Sequence, residues 1–159
     1  MDGPLKNLLV VDLTRVLVGP YCTMMLSDMG ARVIKVEAPG IGDDSRKFGP
    51  FVKDNSAYFM SLNRGKESIA LNLKDEEDKE IFLKILSKAD ILVENFKPGT
   101  LEKWGFGWKD MCKKFPKLIY ASASGFGQTG PLKELPAYDM VVQGMGGLMS
   151  VTGHPNSEP

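Results

Sequence analysis

Residues 7–37, NLLVVDLTRVLVGPYCTMMLSDMGARVIKVE, decide the fold of this chain. The run NLLVVDL at 7–13 is apolar apart from its first residue and Asp12, which is typical of a strand buried within a parallel sheet. A helix is predicted over 20–29, with Pro20 in its first turn and Gly30 at its end. RVIKVE at 32–37 predicts a second strand. The segment therefore predicts one strand-helix-strand unit of an α/β fold.

The same alternation of short apolar runs and helical patterns continues along the chain. Further strands are predicted at 68–73, 90–94 and 118–124, and helices at 58–63, 75–88, 101–104, 109–115 and 137–149. Residues 38–55 are rich in Gly, Pro and Asp and predict a long loop. The apolar face of the 75–88 helix is predicted to consist of Ile81, Phe82, Ile85 and Leu86. Together these patterns predict a Rossmann-like parallel sheet with crossover helices and no internal domain boundary.

The composition limits the classes of partner. The 159 residues include 20 Lys and Arg and 20 Asp and Glu, so the formal net charge is zero, and 43% of the residues are hydrophobic. These values are typical of a globular chain with a core, and they supply no general attraction for nucleic acid or an anionic membrane. Residues 1–6 carry no signal-like pattern and no apolar run approaches the length of a membrane span. A cytoplasmic location is therefore expected.

The cysteine and histidine content argues against a disulfide framework or a zinc site. The chain has two cysteines, Cys22 and Cys112, and one histidine, His154. Both thiols are predicted to be buried on helices, and His154 is predicted to be an exposed loop residue. Methionines at helical positions are predicted to form adaptable core, and they are Met24, Met25, Met29, Met140, Met145 and Met149.

Three loops that follow predicted strands carry polar residues, and ligands of open parallel sheets bind beyond the carboxyl ends of the strands. Residues 14–20 (TRVLVGP) lead into a helix N-terminus suited to phosphate but hold no GxGxxG, and Arg15 is there either a ligand or a solvated charge. Residues 95–99 (NFKPG) either bind a nucleotide or form a plain turn. Residues 125–131 (GFGQTGP) either fold over a ligand or turn the chain. Glu37 is interpreted as structural, and Asp139 as favouring a helix dipole.

Six ordered motifs resemble the family III CoA-transferases, the group of formyl-CoA transferase and carnitine CoA-transferase. They are DLTRVLVGP at 12–20, GARVIKVEAPGIGDDSR at 30–46, NRGKESIALNLK at 63–74, VENFKPGTLEKWGF at 93–106, SGFGQTGP at 124–131 and YDMVVQGMGGLMSVTG at 138–153. The resemblance covers essentially the whole chain. Six motifs in order are more specific than any single glycine pattern.

The resemblance implies a fold, a reaction and partners. Members of the family have a Rossmann-like large domain and a smaller second domain, and two chains interlock as a homodimer. They move CoA from an acyl-CoA donor to a carboxylic acid through an aspartate that forms an anhydride and then an aspartyl-CoA thioester. Residues 1–159 would be the N-terminal part of the CoA-binding large domain. Coenzyme A would be the substrate, with no metal and no nucleic-acid or membrane partner.

The resemblance also implies CoA contacts at particular positions of this sequence. Asn95 and Phe96 would serve the adenine and backbone region of CoA, and Lys97 or Lys103 the phosphates. The full set of implied contacts is Arg15, Val16, Leu17, Val18, Leu71, Asn72, Leu73, Lys74, Asn95, Phe96, Lys97, Lys103, Pro136, Ala137, Tyr138 and Asp139.

Two positions depart from the family pattern. Ala38 stands where some members place an arginine on the CoA phosphates, so that charge would come from Arg15, Lys74 or Lys103. The catalytic aspartate of the family is expected in a Gly-Asp stretch beyond Pro159. No catalytic residue is therefore assigned within the 159 residues, and the chain alone is expected to be inactive.

Two alternative functions remain beside CoA transfer. The related acyl-CoA racemases and epimerases place a histidine base before the aspartate of the YD motif, where this chain has Tyr138. A tyrosine does not serve as the same base near neutral pH, which favours transferase over racemase. The other alternative is a non-catalytic CoA-binding module.

Overall fold

The computed structural model describes residues 3–154. The first two residues of the 1–6 segment and Pro159, beyond which the aspartate is expected, lie outside the described residues. The strands are β1 (Leu9–Asp12), β2 (Arg32–Glu37), β3 (Phe51–Val52), β4 (Asn55–Ser56), β5 (Glu67–Ala70), β6 (Ile91–Glu94) and β7 (Ile119–Ser122). The helices are α1 (Val18–Asp28), α2 (Ala57–Asn63), α3 (Glu76–Leu86), α4 (Thr100–Trp104), α5 (Trp108–Lys114), α6 (Asp139–Met145) and α7 (Leu148–Val151), with a 3-10 helix at Asp44–Lys47.

Five strands form one parallel sheet in the order β5-β2-β1-β6-β7. Val10 of β1 lies opposite Val33 of β2 on one side and opposite Ile91 of β6 on the other. The chain builds outward from β1 through β2 to β5 and then adds β6 and β7 on the opposite side of β1. The strand order therefore reverses between β1 and β6. The carboxyl ends of two such strands are the usual ligand site of an open parallel sheet.

Apolar clusters on both faces of the sheet explain the apolar run at residues 9–11 in its central strand. Val11 belongs to one cluster with Phe82 of α3. Val10 belongs to a second cluster with Val33, against which Leu26 of α1 packs. Because neighbouring side chains in a strand point to opposite faces, adjacent valines serve different cores. The Rossmann-like parallel sheet predicted from the sequence is confirmed.

The segment predicted as a long loop, residues 38–55, holds more structure than expected. It contains the 3-10 helix and the antiparallel hairpin of β3 and β4. The carboxylate of Asp43 accepts from the N–H of Ser45 and so caps the 3-10 helix. Lys53 and Asp54 have φ values of 48° and 63°, which a two-residue hairpin turn of this kind requires. Neither residue is a glycine, so composition alone did not predict the hairpin.

The helix predicted at 137–149 is two helices, α6 and α7, because Gly147 interrupts it at a φ of 76°. These helices belong to the second of two compact units, Met1–Ala123 and Ser124–Pro159, whereas the sequence predicted no boundary. Neither helix has a buried residue among those described. The glycine-rich residues 125–131 lie between β7 and α6, outside helices and strands.

Several side chains predicted to be buried are exposed. Ile81 is 41% exposed, so the buried face of α3 is formed by Phe82 and Leu86. Cys22 is exposed on α1 and Cys112 is half-buried, so the prediction of two buried thiols is wrong. With 3.6 residues per turn, apolar residues beside the buried face of a helix turn outward.

Of the six methionines predicted to form core, one is buried. Met24 is buried, Met149 is half-buried, and the others are exposed, namely Met25, Met29, Met140 and Met145. His154 is exposed in a loop, as predicted. Among residues 3–154, every helix is too short or too polar to span a bilayer.

Candidate functional site

A cavity of about 640 Å³ opens in the first unit at the carboxyl ends of β1, β2 and β5, beside the turn that follows β6. This volume is within the usual range for small-molecule and cofactor sites. The loop after β2 and Trp104 of α4 contribute to its wall. Six residues predicted from the sequence line it, and they are Arg15, Leu71, Asn72, Leu73, Lys74 and Phe96.

Asn95 joins the two loops that meet where the strand order reverses. Its side-chain oxygen accepts a hydrogen bond from the N–H of Arg15 at 2.8 Å. Its side-chain nitrogen donates to the carbonyl oxygen of Arg15, also at 2.8 Å. Both ends of the carboxamide are therefore engaged with the loop after β1. A residue predicted to contact a ligand fixes, in the structure, the loop that carries Arg15.

Thr14, the residue before Arg15, is held by buried charged side chains. Its N–H and hydroxyl donate to Asp12 Oδ1 at 2.8 and 2.5 Å. Its carbonyl oxygen accepts from Lys35 Nζ at 2.7 Å. Asp12 and Lys35 are 0% and 1% exposed. Because buried polar groups are costly when they lack partners, these bonds fix the loop at its start.

Val16 adopts a backbone conformation that a β-branched residue rarely takes. Its φ of 68° lies in the left-handed region, which costs a non-glycine residue about 1–3 kcal/mol. Asp43 holds this conformation, since its Oδ1 accepts from the Val16 N–H at 3.1 Å. The same oxygen accepts from the N–H and hydroxyl of Ser45 at 2.9 and 2.7 Å. The loops after β1 and β2 are thus joined through one carboxylate.

Lys35 keeps that carboxylate charged. Its Nζ lies 2.9 Å from Asp43 Oδ2, and both side chains are almost completely buried. Burial alone would raise the pKa of Asp43, but the hydrogen bonds from Ser45 and the charge of Lys35 outweigh it and lower that pKa. Asp43 is therefore an ionised acceptor at neutral pH, and a stronger one than a neutral group.

Glu37, at the end of β2, makes the structural contacts expected of it. Arg46 donates to its two carboxylate oxygens at 2.8 and 2.7 Å. The hydroxyl of Ser68 and the N–H of Asp43 add bonds of 2.7 and 2.9 Å. Burial alone would raise the pKa of Glu37, but these bonds outweigh it and lower the pKa to about 2. The ionised carboxylate ties the loop after β2 to the sheet.

Two aromatic rings form an apolar part of the cavity wall. Phe96 and Trp104 pack edge to face with their centroids 5.3 Å apart. Lys74 Nζ lies 5.8 Å from the centre of the Trp104 ring. The N–H of Phe96 donates to Glu94 at 2.8 Å, and burial raises the pKa of Glu94 despite that bond. Aromatic rings with a cation beside them suit a flat heteroaromatic group that carries phosphates.

The cations near the site differ in how strongly they are held. Arg15 forms an ion pair with Asp44, and both side chains are almost half exposed. Such a pair is weak in water, so the guanidinium is available to an anionic ligand. Lys97 and Lys103 are exposed and do not line the cavity.

The remaining predicted contacts are not among the lining residues. Val16, Leu17 and Val18 belong to the loop and the start of α1 but do not line the cavity. Pro136, Ala137, Tyr138 and Asp139 belong to the second unit, where Asp139 accepts from Gln143 at 2.5 Å.

Among the lining residues that were not predicted from the sequence are Lys35, Asp43 and Trp104. A lysine in the middle of the predicted strand RVIKVE was a usable signal, because a charge in a strand buried on both faces needs a partner. Asp43 and Trp104 gave no such signal. Within residues 3–154, no group of three or more Asp, Glu, His and Cys side chains is placed to hold a metal ion.

Comparisons of the sequence with a family model and with individual proteins all indicate CoA-transferases. The model of CoA-transferase family III matches residues 5–159. The chain is 58% identical over 157 residues to acetyl-CoA:oxalate CoA-transferase of Acetobacter aceti. This match covers 99% of the present chain and 40% of that protein. It is 47% identical over 157 residues to succinyl-CoA:glutarate CoA-transferase of Homo sapiens, covering 98% of this chain and 36% of that protein.

A solved structure agrees with this family. The crystal structure of a CAIB/BAIF family protein from Brucella suis matches 100% of this chain and 43% of its own, with a TM-score of 0.94 and 45% identity. The present chain thus spans between 36% and 43% of the length of these relatives.

Proposed function

Because this chain belongs to CoA-transferase family III, we propose that it is the CoA-binding part of an enzyme that moves CoA from an acyl-CoA donor to a carboxylic acid acceptor. The cavity where the strand order reverses carries the proposal. It combines an aromatic wall, Phe96 and Trp104, with the cations Arg15 and Lys74, in addition to Lys35, which is paired with Asp43. A ligand with both a heteroaromatic ring and phosphates fits this combination, and CoA is such a ligand.

The proposed binding divides CoA among the lining residues. The adenine would lie against the aromatic wall, where stacking and apolar burial hold a flat ring. Arg15 would exchange its partner Asp44 for a phosphate, and Lys74 would supply a second positive charge. Lys97 and Lys103, which are exposed near the turn after β6, would meet phosphates outside the cavity.

The covalent steps would need an aspartate beyond Pro159. Its carboxylate would attack the donor thioester and release the CoA thiolate, leaving an anhydride. The thiolate would attack the aspartyl carbonyl of the anhydride, giving aspartyl-CoA and the donor acid. The acceptor carboxylate would then attack aspartyl-CoA, which releases the CoA thiolate and forms a second anhydride. Attack of the thiolate on the acceptor carbonyl of this anhydride would give the acceptor's CoA thioester and regenerate the aspartate. No oxidant or metal enters this sequence of steps.

The relatives suggest the acceptor to try first. Those described above are named for oxalate and glutarate, both dicarboxylic acids. A small dicarboxylate is accordingly the proposed acceptor class, and the active form is proposed to be a homodimer of the longer protein.

Calorimetry with CoA on the 159-residue chain tests the binding part of the proposal. Lys74→Ala should weaken binding by about tenfold, the effect of one charge-assisted contact. Lys109→Ala removes an exposed lysine of α5 outside the cavity and should leave the affinity unchanged. Equal affinities of the two variants would contradict the proposed site.

Assay of the same chain with an acyl-CoA and a dicarboxylate tests the division of labour. No transfer is expected, because the proposed nucleophile is not among its residues. Turnover by this chain alone would contradict that assignment.

A further inference from the structure

We propose that Asn95 and Asp43 are positioning residues, whose side chains clamp the loop after β1 in its left-handed conformation at Val16 and so present Arg15 to the ligand. This inference rests on the proposed function for the identity of the ligand, CoA. The clamp itself is a property of the free chain. The two can therefore be tested separately.

Five successive main-chain groups of this loop bind side chains from four places in the first unit. A plain β-turn is defined by at most one main-chain hydrogen bond, between its first and fourth residues, so successive bonds to side chains are not a property of the turn itself. The five bonds, in chain order, are Thr14 N–H to Asp12 at 2.8 Å, Thr14 C=O from Lys35 at 2.7 Å, Arg15 N–H to Asn95 at 2.8 Å, Arg15 C=O from Asn95 at 2.8 Å, and Val16 N–H to Asp43 at 3.1 Å.

The conformation of Val16 explains why such a set of bonds is needed. A β-branched residue at a φ of 68° relaxes to an ordinary backbone region unless its neighbours hold it. Asn95 fixes the peptide groups on the N-terminal side of Val16, and Asp43 fixes the Val16 N–H itself. Relaxation would rotate the chain next to Arg15, which lines the cavity. The two side chains therefore act on the ligand site through the loop.

Hydrogen exchange of the free chain tests the clamp without any ligand. In Asn95→Ala, the Arg15 amide should exchange at least about fivefold faster, the effect of losing one hydrogen bond. The amides of Val10 and Val11 in β1 should remain protected, which shows that the variant is folded. An unchanged Arg15 rate in a folded variant would overturn the clamp.

A second pair of variants tests Asp43 by the same measurement. Asp43→Ala should accelerate exchange of the Val16 amide. Asp43→Asn keeps an oxygen that accepts from Val16 and should preserve its protection. Both variants lose the ion pair with Lys35, so any general loosening of the structure is common to both. Equal exchange rates of the Val16 amide in the two variants would therefore overturn the role given to Asp43.

CoA titration of Asn95→Ala, Val16→Gly and the double variant tests the consequence for binding. Glycine adopts positive φ without the steric cost that valine has, so it needs the clamp less. Asn95→Ala should weaken CoA binding about tenfold, and adding Val16→Gly should recover most of that loss. An equal loss in both backgrounds would show that Asn95 only touches CoA and would overturn the positioning role. If the wild-type chain binds no CoA while Asn95→Ala accelerates Arg15 exchange, the proposed function is wrong and the clamp stands.

Discussion

Lys35 and Asp43 form an ion pair 2.9 Å long in which both side chains are almost completely buried. Lys35 reaches the loop after β1 through the carbonyl of Thr14, and Asp43 belongs to the loop after β2. One ion pair thus sets the spacing of two loops that line the cavity. Its role is to fix geometry, since the net stability gained from a buried pair is small against the cost of removing two charges from water.

Loss of one partner of this pair should be strongly destabilising. Lys35→Met leaves the Asp43 carboxylate buried without its cation, and the expected loss in unfolding free energy is about 3–5 kcal/mol. Urea denaturation measures it. The double variant Lys35→Met/Asp43→Asn should lose less, because it leaves no uncompensated charge. Arg32→Ala breaks an exposed pair with Glu67 and should shift the midpoint little. If the double variant is as unstable as the single one, charge burial is not the cause.

Glu37 should make stability depend on pH in the acid range. Its pKa in the folded chain is about 2, below the ordinary 4.5, so its ionised form favours the folded state. That contribution, up to about 3 kcal/mol, is complete above pH 5 and is lost as pH falls from about 5 to about 2. The difference in unfolding free energy between wild type and Glu37→Gln should shrink over the same range.

Glu94 provides a control of opposite sign for the Glu37 measurement. Burial raises its pKa, so its ionisation disfavours the folded state as pH rises. The unfolding free energy of Glu94→Gln, relative to that of wild type, should therefore be highest at neutral pH and lowest in acid. Parallel pH profiles for the two variants would contradict the opposite pKa shifts.

Phe82 and Ile81 should differ in importance although they are neighbours on α3. Phe82 is 0% exposed and packs edge to face on Phe106 with centroids 4.9 Å apart. Phe82→Ala should cost about 3–5 kcal/mol of unfolding free energy through the cavity that it leaves. Ile81→Ala removes a side chain that is 41% exposed and should cost well under half as much. Equal shifts in the thermal or urea midpoint would contradict the packing of this helix.

Asp44 should compete with CoA for Arg15. Asp44→Ala frees the guanidinium from an exposed ion pair, so stability should change by less than about 1 kcal/mol. Affinity for CoA should rise by a few fold at low salt, and the gain should decrease as salt screens the charges. Calorimetry at two salt concentrations measures both effects. A fall in affinity would show that Asp44 helps to hold CoA.

The five strands of the parallel sheet, most helices and the position of the cavity followed from local pattern, whereas the hairpin of β3 and β4 and the side-chain contacts did not. Apolar runs such as NLLVVDL predict buried strands because both faces of a parallel sheet are covered. Arg15 and Phe96 belong to loops that follow predicted strands, whereas residues 71–74 were implied by the family resemblance, and all six residues line the cavity. Lys35 and Asp43 were missed, because their pairing joins positions on different elements that no local pattern connects.

The sequence by itself determined the alternation of strands and helices, the likeness to a CoA-transferase family and the loops that carry the site. Each of these depends on residues that are close in the chain. Only the tertiary structure decided that Asn95 forms two hydrogen bonds with the main chain of Arg15, 80 residues earlier in the sequence, and that Val16 is held at a positive φ. The contact between Asn95 and Arg15 depends on strand order, because β6 lies beside β1 in the sheet and this brings the loops after these two strands together.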